Sequence, residues 1–129
     1  MELETIGKIY TKSEADTLYD IVISSTKINS SDLQKIIPKT QNHIMFQIIE
    51  GKLIILDKDR NIIFTNGNSS TVSKSTVFHV FSTSVINKLL ARGNNPATII
   101  EKRKNVLTIT NGDNTLEQGT LCPPFCQNL

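Results

Sequence analysis

Two apolar runs separated by a glycine-bearing turn constrain the fold of this chain more than any other feature. Residues 44–49 and 53–56 are almost entirely apolar, and Glu50-Gly51 lies between them. Isoleucine-rich runs of this length are typical of buried strands, and a short connection that contains glycine joins antiparallel neighbours. The sequence therefore predicts a β-hairpin at this point, and with it an antiparallel sheet.

Further extended segments follow this hairpin. Residues 62–64 resume the apolar pattern after a polar loop, which completes a three-stranded meander. Residues 77–81 are typical of a strand, and a second meander is predicted over residues 98–103, 106–110 and 115–121. Because the strands occur in hairpins and do not alternate with helices, we expect one mainly antiparallel sheet with helices on one face.

Three short helices are predicted from capping residues and apolar spacing. Thr11 followed by Glu14 has the form of a capping box, in which each side chain satisfies a backbone donor. Ser31 followed by Gln34 repeats this pattern. Ser82 is a third candidate cap, ahead of a stretch with apolar residues on one face. The three helices are expected at residues 12–20, 31–37 and 83–92.

The length and composition indicate one self-sufficient domain. A chain of 129 residues with 38% hydrophobic and 20% charged residues is large enough to bury a core without a metal or disulfides. We therefore predict a single α+β domain over residues 1–129, with a mainly antiparallel sheet built from two meanders and three short helices.

The charge distribution predicts neither nucleic acid nor membrane as a partner. The net charge of +2 arises from 14 basic and 12 acidic residues spread along the chain. Lys102-Arg103-Lys104 is the one dense basic run, and in a hairpin it is expected to be a turn with a solvated edge. An acidic N-terminus and the lack of a long apolar run predict a cytoplasmic protein, and the abundance of Asn, Lys and Ile is typical of a bacterial one.

The two meanders share a weak sequence similarity. Residues 60–67 resemble residues 104–112 once a single insertion is allowed. Turns made of a basic residue and asparagine, or of asparagine and glycine, recur independently for local backbone reasons. We therefore interpret the two segments as ordinary hairpins rather than as a duplication.

The segment Cys122-Pro-Pro-Phe-Cys126 holds both cysteines of the chain and is the densest group of reactive side chains in the sequence. One interpretation is a zinc site in which His43 and His79 complete a two-Cys, two-His set. The cysteine spacing fits structural zinc, but the histidines occur singly and far apart, unlike the paired histidines of such sites. Cys122 and Cys126 are therefore candidate metal ligands, and zinc is the one candidate cofactor.

Two other interpretations of the cysteine segment remain open. Two nearby thiols can cycle through a disulfide, although the redox motif has two intervening residues, not three, and no basic residue adjoins this pair in sequence. The simplest interpretation is a packed tail, in which small apolar thiols and Phe125 cover the core. A reducing cytoplasm favours free thiols over a bridge.

Catalysis has no support in the sequence. A nucleophile needs a base beside it, and the two histidines, His43 and His79, each lie in an apolar strand context. Alternation along the strand places His79 on the face opposite to that of Phe78 and Val80, which predicts a half-exposed structural histidine. No nucleophile elbow, phosphate loop or dinucleotide-binding pattern is present, so we lean away from an enzyme.

Two functional hypotheses result. The first is a small non-enzymatic binding or assembly module, a homo-oligomer that buries residues 44–49 and 53–56, because strands that are apolar on both faces need cover on both. The second is a metal- or thiol-dependent protein that uses Cys122 and Cys126.

Overall fold

A computed structural model of the chain describes residues 6–11, 13–14, 22–66, 75–103, 106–117 and 119–122. These residues contain ten strands: β1 (Lys8–Thr11), β2 (Val22–Asn29), β3 (His43–Ile49), β4 (Lys52–Leu56), β5 (Ile62–Thr65), β6 (Phe78–Ser82), β7 (Ala97–Arg103), β8 (Leu107–Asn111), β9 (Asn114–Glu117) and β10 (Thr120–Cys122). They also contain two α-helices, α1 (Ser30–Ile36) and α2 (Thr83–Gly93), and a 3₁₀ helix (Ile37–Lys39) that continues α1.

The strands form two antiparallel sheets of five strands each. The first sheet has the order β1-β9-β8-β7-β2 and the second has the order β10-β6-β3-β4-β5. The predicted α+β class and antiparallel pairing are confirmed, but the expectation of one sheet is wrong. The two meanders do not join edge to edge. The first meander pairs with β6 through β3, and the second pairs with β2 through β7, so each has a fourth strand from the other half of the chain.

The predicted helices agree with α1 and α2 to within one residue at either end. The first predicted helix, residues 12–20, lies mostly outside the described residues, but its capping box is present. The backbone N–H of Thr11 donates to the Glu14 carboxylate at 3.1 Å, and the N–H of Glu14 donates to the Thr11 hydroxyl at 3.2 Å. The predicted Ser31 cap is wrong, because α1 begins at Ser30 and Asn29 occupies the capping position.

The expected continuous strand over residues 115–121 is in fact divided between the two sheets. Its first part is β9 in the first sheet, and its last part is β10 in the second. At Gly119, between them, a Cβ atom would lie 2.8 Å from the Phe81 ring and 3.0 Å from the Val80 carbonyl oxygen. The chain crosses from one sheet to the other where the absence of a side chain permits this close approach.

A unit of one strand, one helix and three further strands occurs twice along the chain. The elements β2, α1, β3, β4 and β5 recur in the same order as β6, α2, β7, β8 and β9. The first strand of each unit is exchanged, since β2 pairs with β7 and β6 pairs with β3. Each sheet therefore contains three strands of one unit and the first strand of the other.

The exchanged pairs are equivalent in register. Ile28 lies opposite Thr98 in the first sheet, and Phe81 lies opposite Ile44 in the second. The buried positions of the helices have the same spacing: Leu33, Ile36 and Ile37 of α1 with its 3₁₀ continuation, and Ile86, Leu89 and Leu90 of α2.

This repeat differs from the similarity seen in sequence. Matching residues 60–67 to residues 104–112 would align β5 with β8, whereas element order makes β9 the counterpart of β5. The structural repeat is therefore longer than a hairpin. The turn residues that the two sequence segments share align elements that are not counterparts in this repeat.

One core joins both sheets and both helices. Its fully buried members include Leu33 from α1, Phe46 and Ile55 from the second sheet, Ile86 from α2 and Ile109 from the first sheet. The opposite face of the second sheet carries a separate group of buried side chains, called here the outer cluster: Met45, Ile54, Leu56, Phe78, Val80 and Cys122. The second sheet is thus buried on both faces, as expected for strands with continuous apolar runs.

Asn111 connects the end of α2 to the start of α1 through side-chain hydrogen bonds. Its side-chain amide donates to the Ser30 hydroxyl and to the Asn95 carbonyl oxygen, each at 3.0 Å. Its side-chain oxygen accepts from the backbone N–H of Asn95 at 2.9 Å. Asn111 is fully buried, and Gly93 packs directly against it. This joint connects the two repeated units through buried hydrogen bonds.

The described helices are short. The longer of them, α2, has eleven residues, and no helix in the described part of the chain could span a bilayer.

Candidate functional site

Cys122, the last described residue, ends β10 and is disulfide-bonded. It lies opposite Phe78 of β6, and its side chain is fully buried in the outer cluster. The sequence contains one other cysteine, Cys126, which lies outside the described residues. The expectation that free thiols are the resting state is therefore wrong for Cys122.

Arg60 is the basic residue that reaches this sulfur. One of its guanidinium nitrogens donates to the Cys122 carbonyl oxygen at 2.9 Å and lies 3.5 Å from Cys122 Sγ. The other terminal nitrogen donates to the carbonyl oxygen of Thr76 at 2.9 Å. The guanidinium also lies over the Phe78 ring, 5.3 Å from its centre. Arg60 thus forms hydrogen bonds with both β10 and the segment that leads into β6.

A polar turn positions Arg60. The Asp57 carboxylate accepts from the backbone N–H groups of Asp59 and Asn61, both at 2.9 Å. Arg60 then adopts a left-handed backbone with φ of 68°, and its N–H donates to the Asp57 carbonyl oxygen at 3.0 Å. Non-glycine residues seldom adopt this conformation. The turn therefore fixes the direction in which the Arg60 side chain projects from the backbone.

The contact has electrostatic consequences for both partners. Partial burial lowers the pKa of Arg60. A guanidinium group nevertheless stays charged in proteins. A fixed positive charge beside a cysteine sulfur stabilises its thiolate form. The sequence does not reveal this neighbour, because Arg60 is 62 residues from Cys122 along the chain.

His43 begins β3 on the same face of the second sheet as Met45 of the outer cluster. Its side chain is buried, and its Nδ1 atom has no hydrogen-bond partner among the described residues. Burial lowers the pKa of His43. The imidazole is therefore neutral at physiological pH.

His79 lies on the opposite face from His43. It is opposite Phe46 and Leu121 in the second sheet and belongs to the same face as Phe81. The prediction of a half-exposed histidine is wrong, because its side chain is 8% exposed. Burial, together with the nearby positive charge of Lys102, lowers the pKa of His79 to about 4.

The structure does not bring the three described candidate ligands, Cys122, His43 and His79, together as one set. Cys122 and His43 belong to one face of the second sheet, whereas His79 belongs to the other. In the parts of the chain that the structure describes, no group of three or more His, Cys, Asp or Glu side chains could hold a metal ion. Because Cys126 is outside those parts, its role as a ligand stays a prediction.

A second polar group lies on the outer face of the first sheet and was not singled out in the sequence. Arg103 Nε donates to the Thr108 hydroxyl at 3.3 Å, and its terminal nitrogen lies 3.7 Å from the Glu101 carboxylate. Thr110 donates to that carboxylate at 3.2 Å. The predicted solvated edge is wrong for Arg103, which is 2% exposed. Alternation places Arg103 and Glu101 on one face, where opposite charges compensate each other.

Comparisons with protein-family models, with curated proteins and with solved structures gave no match for this chain.

Proposed function

We propose that this chain is a small non-enzymatic assembly module that self-associates through the open edge of β2. In this arrangement, β2 pairs with β2 of a second copy in antiparallel orientation. The pairing is symmetric, because the same strand of each copy supplies the contact. It would join the two first sheets into one continuous sheet.

The edge of β2 has the features of a strand that pairs with another chain. It is eight residues long and contains one charged residue, Lys27. Val22 and Ile23 expose 38% and 62% of their surface. A bulge at Ile23 disturbs the register, but the pairing with β7 is regular from Ser24 to Asn29. Edge strands with few charges and no proline are templates for strand addition.

The observation that carries the proposal is the difference between the two repeated units. β6, the counterpart of β2, is covered along its outer edge by β10. β2 is the last strand of its sheet among the described residues. Within the described ranges, the same type of edge is therefore paired in one unit and open in the other. A second copy would supply the missing neighbour.

The original reason for expecting an oligomer does not hold. Residues 44–49 and 53–56 were expected to need a partner subunit to cover both faces. In β3 and β4, Met45, Phe46, Ile54 and Ile55 are all at most 2% exposed within a single chain. The proposal therefore rests on a strand edge and not on a sheet face.

Replacing Ile23 with lysine tests this proposal. Lysine on an edge strand disfavours pairing through charge repulsion and loss of apolar contact. We expect the wild type to show a concentration-dependent dimer in sedimentation velocity, and Ile23→Lys to raise the dimer dissociation constant by about tenfold or more. Thermal unfolding should be nearly unchanged, because the Ile23 side chain is largely exposed.

Val77→Lys is the matched control, since Val77 is also exposed, at 37%, and lies outside β2. It should dimerise like the wild type. A wild type that stays monomeric at millimolar concentration, or equal loss of dimer in both variants, would reject β2 as the interface.

A further inference from the structure

The contact between Arg60 and Cys122 suggests a chemical role beyond assembly. We propose that the disulfide of Cys122 is a reducible site in which Arg60 stabilises the Cys122 thiolate as it leaves. The reductant class is a dithiol, either a small molecule or a protein with two neighbouring cysteines. Arg60 acts as a positioning residue and does not take part in bond making.

The exchange balances in two steps. A thiolate of the dithiol attacks the sulfur bonded to Cys122, forms a mixed disulfide with it and releases Cys122 as a thiolate. The second thiolate of the dithiol then attacks the first sulfur of the dithiol, which is bonded to the protein in the mixed disulfide. This step releases the other cysteine of the protein as a thiolate. Two electrons pass to the protein, and the dithiol becomes a disulfide. The dithiol's protons pass to solvent or to the released thiolates.

Burial shields the Cys122 sulfur from direct attack. The Cys122 side chain is fully buried in the outer cluster, so an incoming thiolate cannot approach it. Cys122 is therefore the leaving group of the first step. A leaving thiol with a lower pKa departs faster, so a cation at this sulfur favours the exchange.

Two opposing effects act on the released thiolate. Removal from water disfavours an ionised sulfur, whereas a cation within about 4–6 Å favours it. Arg60 Nη1 lies 3.5 Å from Cys122 Sγ and is held there by hydrogen bonds to the carbonyl oxygens of Cys122 and Thr76. Because these carbonyl contacts do not depend on the sulfur's oxidation state, the cation is in place before the bond breaks. This preformed contact stabilises the negative charge that the buried Cys122 sulfur acquires as it leaves.

The first test measures the thiolate directly. In a Cys126→Ser background Cys122 is a free thiol, and thiolate absorbance near 240 nm can be followed against pH. Arg60→Gln is expected to lower the thiolate fraction at pH 7 by about tenfold, and Arg60→Lys to lower it less. Arg92→Gln, on the exposed face of α2, is the matched control and should leave it unchanged.

The second test measures the reaction in the full chain. In mixtures of reduced and oxidised dithiothreitol, Arg60→Gln should shift the equilibrium toward the protein disulfide by about tenfold and slow its reduction. Arg60→Lys keeps a charge and serves if Arg60→Gln fails to fold. A variant that lowers the melting temperature but leaves both the thiolate titration and the equilibrium unchanged would overturn the proposal and make Arg60 a structural residue. The assembly test on β2 is independent of either outcome.

Discussion

Replacing Gly93 with alanine is expected to destabilise the protein by about 3 kcal/mol. A Cβ atom at this position would overlap the side chain and carbonyl group of Asn111, with the carbonyl carbon only 2.7 Å away. The obstacle is mainly backbone and cannot rotate aside. Any shift of Asn111 would also break its hydrogen bonds to Ser30 and Asn95, which join the two repeated units.

Urea unfolding followed by circular dichroism measures this effect. Gly51→Ala is the control, because a Cβ atom there meets nothing within 4 Å, although the backbone φ of 78° disfavours alanine. We expect the control to cost about 1–2 kcal/mol from backbone strain. Equal losses in the two variants would show that the contact with Asn111 contributes little to stability.

Lowering the pH from 7 to 4 is expected to remove about 3 kcal/mol of stability through His79. The folded protein holds this imidazole neutral, with its pKa lowered to about 4 by burial and by Lys102. In the unfolded chain the pKa returns to about 6.5. Between these values the unfolded state binds more protons than the folded state. The contribution is therefore complete above pH 6.5 and is lost as the pH falls toward 4.

Unfolding free energies at several pH values, for the wild type and His79→Gln, check this expectation. The variant cannot titrate at this position, so its stability should decrease less with acidification. His43→Gln is a comparison variant: burial also lowers the pKa of His43, so this variant is expected to lose part of the pH dependence in the same direction. A His79→Gln protein whose stability falls as steeply as the wild type would contradict the assignment.

Local patterns in the sequence predicted most elements but not their arrangement. The hairpin of β3 and β4 followed from two apolar runs and a glycine turn, and α2 followed from apolar spacing. None of the predicted strands covers the long strand β2, because Ser24, Ser25 and Thr26 give no apolar signal. The division into two sheets depends on contacts between β2 and β7, about 75 residues apart, which no local pattern encodes.

The candidate site was found only in part for the same reason. Cys122 stands out in the sequence because cysteine is rare in this chain. Arg60 looked like one residue of a polar loop, and its approach to Cys122 requires the second sheet to form. His79 was assigned to the wrong environment, since alternation gives the face of a strand but not whether that face is covered.

The exchange of β2 and β6 bears on the ancestry of this chain. Its strand pairings would be the same if the two units were separate subunits that had exchanged their first strand, as in a domain-swapped homodimer. Fusing two such subunits end to end preserves every strand pairing and makes the partner permanent. After such a fusion the two copies could diverge; in the described part of the chain, β10 lies along the exchanged strand β6, whereas no strand lies along the outer edge of β2. Fusion of this kind would account for the exchanged first strands, and later divergence of the two copies would account for the difference between β6 and β2.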